Sequence, residues 1–223
     1  MNKSLKLALF DYDGTVVDSA IMIVEGAIAA FRICGLPDPD PKKVRENIGK
    51  PLSIALDFYM PSGYDVSPEQ ISEAYKSWYA EQGRLGLQNE PLYPGMIELL
   101  YELKANNWLI GIATNKSRIG LNNGLAKHSL SDIFDITLST DENIPKPNPA
   151  MATRAMNELG VDKNNCVIIG DTINDIGLGV NAGIKSIGVT WGYNNKELLK
   201  SAGATYLVNN SSELNELMKT III

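Results

Sequence analysis

The sequence predicts an α/β protein in which a doubly wound parallel sheet is interrupted by an all-α insertion. From about residue 94 onward, short apolar runs alternate with helical periodicity, the pattern of strand-helix-strand crossovers in a parallel sheet. An isolated apolar run at Leu7–Phe10 predicts the first strand of that sheet. Between these parts, residues 19–88 carry helical patterns and no strand pattern. We therefore expect a discontinuous core of residues 1–18 and 89–223, and a helical domain of residues 19–88.

The insertion is predicted to contain four helices. Apolar residues recur at helical spacing from Ser19 to about Gly35, where a proline-rich stretch follows. Two short helices are expected over Lys42–Asn47 and Leu52–Tyr59. The sequence Ser-Pro-Glu-Gln at 67–70 predicts the start of the fourth helix, because it combines a capping box with proline in the first turn. We expect hinges to the core near residues 16–18 and 89–93.

The core is predicted to contain five further strands, each a short and mainly apolar run. They cover Leu109–Ala113, Ile136–Leu138, Cys166–Ile169, Ser186–Val189 and Thr205–Val208. Helices are predicted near Met96–Asn106, from Ser117, from Pro149, over Ile173–Ala182, near Lys196–Ala202 and from Ser211. Because each helix links or follows parallel strands, right-handed crossovers should place helices on both faces of the sheet.

The composition argues against several function classes. The 223 residues include 20 Lys or Arg and 26 Asp or Glu, which gives a formal net charge of -6. The sequence also has no dense stripe of basic residues, so neither nucleic acid nor a membrane surface is an expected partner. No apolar run approaches the roughly 20 residues that span a bilayer, and the N-terminus lacks a signal-peptide pattern. Cys34 and Cys166 lie far apart, as is typical of a reducing compartment. We expect a cytoplasmic protein; its oligomeric state is not indicated.

Two carboxylates, Asp11 and Asp13, flank one aromatic residue where the first predicted strand ends, and Gly14 follows. Open α/β sheets bind ligands at this edge. Crowded carboxylates repel each other unless one is protonated or a cation lies between them, and Mg²⁺ is a suitable cation. The same residues also fit a solvated turn, so this motif alone leaves both interpretations open.

Polar residues also follow other predicted strands. Thr114 and Asn115 follow the second strand, and Asp171 follows the fourth, with Asp175 four residues later. Lys146 lies between them in a proline-rich frame. Taken singly, Thr114, Asn115 and Asp171 fit helix caps, and Lys146 fits a surface lysine. Their joint occurrence in this order predicts one site.

Together these residues resemble the haloacid dehalogenase superfamily of Mg²⁺-dependent phosphotransferases. The four motifs of that family correspond to Asp11–Thr15, Thr114–Asn115, Lys146 and Gly170–Asp175. The resemblance covers essentially the whole chain and implies a Rossmann-like core in which residues 19–88 form a helical cap. It also implies Mg²⁺ as cofactor and a small phosphorylated metabolite as partner.

The resemblance implies a role for each carboxylate. Asp11 would attack phosphorus and form an aspartyl-phosphate, while Asp13 would protonate the leaving oxygen and later activate water. Mg²⁺ would be bound by the Asp11 carboxylate, the Asp13 backbone carbonyl and the Asp171 carboxylate. Asp175 would orient Lys146 or a metal-bound water.

The remaining motif residues are implied to handle the phosphoryl group. Thr114 and Asn115 would hold phosphate oxygens, and Lys146 would offset the charge that develops in the transition state. Gly14 would permit a tight turn beside the phosphate.

Substrate choice is less constrained by the sequence. Arg45, Gly49 and Lys50 are the candidate specificity residues of the cap, although a solvated helix face fits them equally well. Residues 181–194 look like bacterial phosphoglycolate phosphatases, which favours 2-phosphoglycolate, and Asp13 favours ester hydrolysis over dehalogenation. A pyrophosphatase and a β-phosphoglucomutase-like phosphotransferase remain alternatives. A non-catalytic module resembling phospho-aspartate receivers is a further one.

Overall fold

The computed structural model describes residues 5–221 and divides into two compact units. One unit combines Met1–Asp18 with Leu92–Ile223, and the other is Ser19–Pro91. The second boundary, between Pro91 and Leu92, lies three residues beyond residue 88 and inside the hinge expected at residues 89–93. The role of Ser19–Pro91 as a cap stays a prediction.

The Ser19–Pro91 unit is built from helices. They are α1 (Ala20–Ile33), α2 (Pro41–Glu46), α3 (Leu52–Leu56) and α4 (Pro68–Arg84). The predicted capping box of α4 is confirmed: Ser67 Oγ accepts the Gln70 backbone N–H, and Gln70 Oε1 accepts the Ser67 N–H at 2.8 Å. Phe31, Leu56 and Ile71 lie at the centre of this unit's apolar core.

The other unit is organised around a sheet. Its strands are β1 (Lys6–Phe10), β2 (Trp108–Ala113), β3 (Ile136–Leu138), β4 (Cys166–Gly170), β5 (Lys185–Val189) and β6 (Tyr206–Val208). Within residues 5–221 these six strands pair in the order β3-β2-β1-β4-β5-β6, and every neighbouring pair is parallel. The predicted doubly wound α/β sheet is therefore confirmed.

Helices cover both faces of this sheet. They are α5 (Met96–Ala105), α6 (Arg118–Lys127), α7 (Ala150–Leu159), α8 (Ile173–Ala182), α9 (Lys196–Ser201) and α10 (Ser211–Thr220). Side chains alternate along β1, so Ala8 and Phe10 pack in one apolar core with α5, α6 and α10, whereas Leu7 and Leu9 pack in a second core with α7 and α8. The sheet is thus buried on both faces, which explains why its strands are continuous apolar runs rather than alternating ones.

The strand order reverses direction at β1. The chain adds β2 and then β3 on one side of β1, and it then crosses to the other side of β1, where it adds β4, β5 and β6 in turn. In open α/β sheets such a reversal leaves a crevice at the carboxyl ends of the two strands where it occurs. The crevice therefore lies where β1 and β4 end. No helix within residues 5–221 has the length and apolarity to cross a bilayer.

Candidate active site

The ends of β1 and β4 bring two of the predicted carboxylates together at the crevice. Phe10 pairs with Ile169 in the sheet, and the backbone N–H of Asp11 donates to the carbonyl of Ile169 at 2.9 Å. Asp171 follows β4 directly and is fully buried, while Asp11 is 2% exposed. Acids that are far apart in the sequence therefore become neighbours because β1 and β4 are adjacent strands.

Lys146 lies between two buried carboxylates. Its Nζ is 2.7 Å from Asp11 Oδ1 and 2.6 Å from Asp175 Oδ1. One ligand atom each of Asp11, Asp171 and Asp175 lies within 4.8 Å of the others. The structure therefore unites four of the predicted residues, with three carboxylates facing one ammonium group.

Burial and charge crowding shift the pKa values of these groups. Burial, reinforced by the charge of Asp175, raises the pKa of Asp11 to about 7, although Lys146 opposes the shift. Burial and the charges of Asp175 and Asp11 raise the pKa of Asp171 well above its ordinary value. Burial alone would lower the pKa of Lys146, but the Asp11 and Asp175 carboxylates raise it. The cluster therefore holds an excess of negative charge that a further cation would relieve.

Asp171 is held by groups from two loops. Its Oδ1 accepts the Thr15 hydroxyl and its Oδ2 accepts the Tyr193 backbone N–H, both at 2.8 Å. Gly14, at φ +83°, and Gly192 approach so closely that a Cβ at either position would overlap the Asp171 carboxylate. Gly14 thus serves the predicted tight turn, and the missing side chains at both glycines leave room for the acid.

Asp175 combines a structural role with its contact to Lys146. Its Oδ2 accepts both the backbone N–H and the hydroxyl of Thr172, which completes a capping box at the start of α8. Its Oδ1 accepts from Lys146. A Cβ at Gly170 would overlap Asp175, so this turn also requires glycine. Asp175 therefore joins the first turn of α8 to the Lys146 ammonium group.

Asp13 forms an ion pair with Lys116, a residue to which the sequence analysis gave no role. Lys116 Nζ lies 2.9 Å from Asp13 Oδ1, with side-chain exposures of 9% and 13%. A lysine directly after two polar residues at a strand end is the signal that could have pointed to it. The pair brings a second cation to the site, separate from Lys146.

Thr114 and Asn115 lie at the end of β2, and the structure gives them different partners. Thr114 is buried, its backbone N–H donates to Leu138 O, and its Oγ1 accepts the Lys116 backbone N–H at 3.2 Å. The Asn115 carboxamide instead bonds the backbone of Lys146: Oδ1 accepts its N–H at 2.9 Å, and Nδ2 donates to its carbonyl at 3.2 Å. The side chain predicted to bind phosphate therefore ties the Lys146 loop to β2.

The three candidate specificity residues belong to the Ser19–Pro91 unit. Arg45 is exposed near the end of α2, and Gly49 has φ +90° in the loop that follows. Lys50 donates to Asn47 Oδ1 and lies over the Phe58 ring, 3.7 Å from its centroid. Partial burial lowers the pKa of Lys50. Arg45 and Lys50 were selected from the sequence as basic residues of this unit, and a contribution of Arg45, Gly49 and Lys50 to substrate choice stays a prediction.

The chemistry of the acidic cluster fits a hard divalent cation. Asp11 and Asp171 supply oxygen atoms within 4.8 Å of each other, at the crevice and with raised pKa values. Buried carboxylates in excess of their ammonium partner are costly unless a cation neutralises them. Oxygen donors of this kind are those that Mg²⁺ binds. The residues present therefore fit the expected cofactor.

Comparison with known proteins then identifies the family. The family model described as haloacid dehalogenase-like hydrolase matches residues 8–189, more than half of the chain. The chain belongs to the haloacid dehalogenase-like hydrolases. The matched region includes all of the residues brought together around Asp11 and Asp171 except those of the loop at Tyr193.

Relatives of this haloacid dehalogenase-like hydrolase match over nearly its whole length. A protein of Dickeya dadantii named "Probable phosphatase IndB" is 34% identical, covering 93% of this chain and 91% of its own. A phosphoglycolate phosphatase of Vibrio parahaemolyticus is 30% identical, with 97% of each chain covered. Pyrophosphatase PpaX of Bacillus velezensis is 28% identical, with 96% of each covered.

A solved structure supports the same fold. The crystal structure described as a predicted phosphatase from Clostridium acetobutylicum superposes with a TM-score of 0.84 at 26% identity, covering 98% of this hydrolase and 100% of that chain. Family and fold therefore agree with the resemblance inferred from the four motifs.

Proposed function

We propose that this protein is a Mg²⁺-dependent phosphatase that hydrolyses a small phosphate monoester, 2-phosphoglycolate, through an aspartyl-phosphate on Asp11. The observation that carries the proposal is the meeting of Asp11, Asp171 and Lys146 at the crevice of the sheet. It is a phosphatase of the haloacid dehalogenase-like family, and its relatives named phosphatases match over nearly the full chain.

In the proposed first step, an Asp11 carboxylate oxygen forms a bond to phosphorus while the bond from phosphorus to the leaving oxygen breaks. Asp13, two residues away, gives its proton to that oxygen. In the second step Asp13 takes a proton from water, whose oxygen displaces Asp11 from phosphorus. Asp11 is then free and phosphate is released, so both carboxyl groups return to their starting states.

Lys146 and Thr114 stabilise the transferring phosphoryl group in this proposal. Lys146 is fixed by Asp11 and Asp175, so its ammonium group stands beside the nucleophile before substrate binds. Preorganised positive charge of this kind lowers the barrier most where water is excluded. Asn115 contributes by holding the Lys146 backbone, and its contact with phosphate oxygens stays a prediction.

The Asp11 carboxylate, the Asp13 backbone carbonyl and the Asp171 carboxylate would hold Mg²⁺. When bound, this ion supplies Lewis-acid stabilisation of phosphate oxygens and neutralises the acidic cluster. Thr15 and the Tyr193 backbone N–H orient the Asp171 carboxylate for that purpose.

The choice of 2-phosphoglycolate is supported by the relatives and by the segment of residues 181–194. The phosphoglycolate phosphatase of V. parahaemolyticus is 30% identical over 225 residues. Residues Ser19–Pro91 would act as the cap, in which Arg45, Gly49 and Lys50 contribute to substrate choice. Pyrophosphate is the second candidate substrate, since a pyrophosphatase is among the relatives. Phosphoryl transfer within a sugar phosphate would yield an isomer and no free phosphate.

A phosphometabolite panel, assayed for phosphate release with Mg²⁺ and with EDTA, tests this proposal. We expect Mg²⁺-dependent release, highest with 2-phosphoglycolate, and loss of activity in Asp11→Asn. Asp132→Asn, which changes an exposed aspartate, is the matched control and should keep full activity. No release from any substrate, or full turnover by Asp11→Asn, would rule the proposal out. A stable phosphoprotein formed from acetyl phosphate, without turnover, would support the receiver-like alternative.

A further inference from the structure

We propose that Gly177 and Asn181, which lie one turn apart on α8, are positioning residues for Lys146, because together they hold Pro147, the residue that follows it. This inference rests on the proposed phosphatase function, in which the Lys146 ammonium group stabilises the transferring phosphoryl group. It starts from two contacts between α8 and Pro147 that the proposed chemical steps do not use.

The Pro147 carbonyl group is bound by the Asn181 side chain. Asn181 Nδ2 donates to this carbonyl oxygen at 2.9 Å. Proline has no N–H, so its carbonyl is the main-chain group through which a hydrogen bond can hold it. The Asn115 carboxamide bonds both main-chain polar groups of Lys146. Two asparagine side chains, one after β2 and one on α8, therefore hold the main chain of two consecutive residues.

The Pro147 ring packs directly against the backbone of α8. A Cβ added to Gly177 would lie 2.8 Å from Pro147 Cβ, about 0.6 Å closer than the 3.4 Å at which ordinary contact begins. Glycine within a helix is less favourable than alanine, so helix formation does not account for Gly177. The close approach of Pro147 does account for it, because only a residue without a side chain leaves room for the ring.

The same helix also binds the ammonium group of Lys146. Asp175, in the first turn of α8, accepts from Lys146 Nζ at 2.6 Å, and Asp11 Oδ1 lies 2.7 Å from the same nitrogen. Asp175 is fully buried and is fixed by the capping box at the start of α8. One rigid element therefore contacts the lysine side chain through Asp175 and the adjoining main chain through Gly177 and Asn181.

A displacement of Pro147 should carry Lys146 with it. Leu178, next to Gly177 on α8, is fully buried in an apolar core against the sheet, so the loop rather than the helix should take up an overlap. The proline ring also fixes φ at Pro147, which leaves the chain less freedom to absorb the shift. Misplacing a reacting group by about 1 Å can cost about a hundredfold in rate. Gly177 and Asn181 therefore act on phosphoryl transfer through Lys146.

Gly177→Ala tests these contacts through their effect on the rate. We expect kcat/KM for 2-phosphoglycolate to fall about tenfold to a hundredfold, because the added methyl group displaces Pro147. Asn181→Ala, which removes one exposed hydrogen bond, should lower kcat/KM about threefold to tenfold. Val180→Ala and Asn122→Ala are the matched controls, because they change exposed residues of α8 and α6, and both should keep the wild-type value.

A Lys146→Arg background distinguishes positioning of Lys146 from a general structural effect. This variant keeps a positive charge beside Asp11 and Asp175, but a guanidinium group does not occupy the place of an ammonium group. Adding Gly177→Ala should then lower kcat/KM by no more than about twofold, because the two changes act through the same cation. Asn181→Ala in the two backgrounds repeats the comparison without adding bulk. The same fold-loss in both backgrounds, or a wild-type kcat/KM in Gly177→Ala, would overturn the inference.

Isothermal titration of inorganic phosphate with Mg²⁺ present gives a readout that requires no turnover. We expect the dissociation constant for phosphate to rise at least about fivefold in Gly177→Ala, because the proposed mechanism assigns Lys146 to the phosphoryl oxygens. Val180→Ala should bind phosphate as the wild-type protein does. An unchanged dissociation constant in Gly177→Ala would contradict the positioning role. A wild-type enzyme that releases no phosphate from any substrate of the panel would instead refute the proposed function.

Discussion

The Asn115 carboxamide bonds both backbone polar groups of Lys146, accepting its N–H at 2.9 Å and donating to its carbonyl at 3.2 Å. The Asn115 side chain, at the end of β2, thereby makes the two backbone hydrogen bonds that a neighbouring strand would make to the loop that carries Lys146. The position of the Lys146 ammonium group depends on this pair of bonds as well as on Asp11 and Asp175.

Replacing Asn115 with Ala should therefore disturb Lys146 rather than the proposed Mg²⁺ site. We expect kcat to fall about tenfold to a hundredfold, and the free energy of unfolding to fall by about 1–3 kcal/mol, because two backbone groups lose their partners. Steady-state kinetics and urea unfolding measure the two effects. Asn115→Asp keeps the acceptor and should recover part of the loss. An unchanged kcat, or a loss confined to Mg²⁺ affinity, would contradict this role.

Replacing Gly192 with Ala should act on the proposed Mg²⁺ site instead. The added Cβ would overlap the Asp171 carboxylate, so the acid must move from the Thr15 hydroxyl and the Tyr193 N–H. We expect the dissociation constant for Mg²⁺, measured by isothermal titration, to rise at least about tenfold, as for changes to groups that orient a ligand. Thr190→Ala, in the same loop, is the control and should bind Mg²⁺ normally. Equal affinities in the two variants would show that the loop does not orient Asp171.

Lys146→Met should destabilise the protein strongly in EDTA. The substitution leaves Asp11 and Asp175 buried without their cation, and breaking a buried pair in this way costs about 3–5 kcal/mol. Mg²⁺ should recover part of this loss, since it supplies positive charge to the same carboxylates. Lys104→Met, which removes a more exposed ion pair, should cost no more than about 1 kcal/mol. The urea midpoints of the two variants in EDTA give the comparison. Similar losses of stability would show that Asp11 and Asp175 do not depend on Lys146 for charge compensation.

Stability without metal should decrease as the pH rises. Burial raises the pKa of Asp11 from its ordinary value of 3.8 to about 7, so between these values the folded chain holds a proton that the unfolded chain has released. The resulting stabilisation is complete below about pH 3.8 and is lost as the pH rises through about 7. The raised pKa of Asp171 acts in the same direction.

We therefore expect the urea midpoint in EDTA to be lower at pH 8 than at pH 5, by an amount equivalent to about 2–3 kcal/mol for Asp11. Mg²⁺ should raise the midpoint more at pH 8 than at pH 5, because binding requires deprotonated carboxylates. Asp11→Asn, which cannot titrate at this position, should show a weaker dependence. If the urea midpoint of the wild-type protein in EDTA instead rises from pH 5 to pH 8, and that of Asp11→Asn does not, the raised pKa of Asp11 is contradicted.

Much of the fold could be predicted because its signals are local. The apolar runs of β1 and β4 and the capping box at Ser67 each depend on neighbouring residues, and all three were predicted with errors of a residue or so at the ends.

The site could be predicted only where side chains carry the chemistry. Asp11 and Asp171 were found because polar residues follow several predicted strands in the order of the family's motifs, at the edge where open α/β sheets bind ligands. Tyr193 was missed because it acts through its backbone N–H, which every residue but proline possesses. The partners of Asn115 were missed because they depend on the approach of a loop 31 residues away.

The adjacency of β1 and β4 has a consequence for synthesis of the chain. Thr15 reaches Asp171 across 156 residues, and Tyr193 adds its bond later still. Contacts of such long range form only after most of a polypeptide has been made and collapsed. A ribosome-bound fragment that ends before β4 thus contains Asp11 without Asp171, and the acidic cluster can form only near the end of translation.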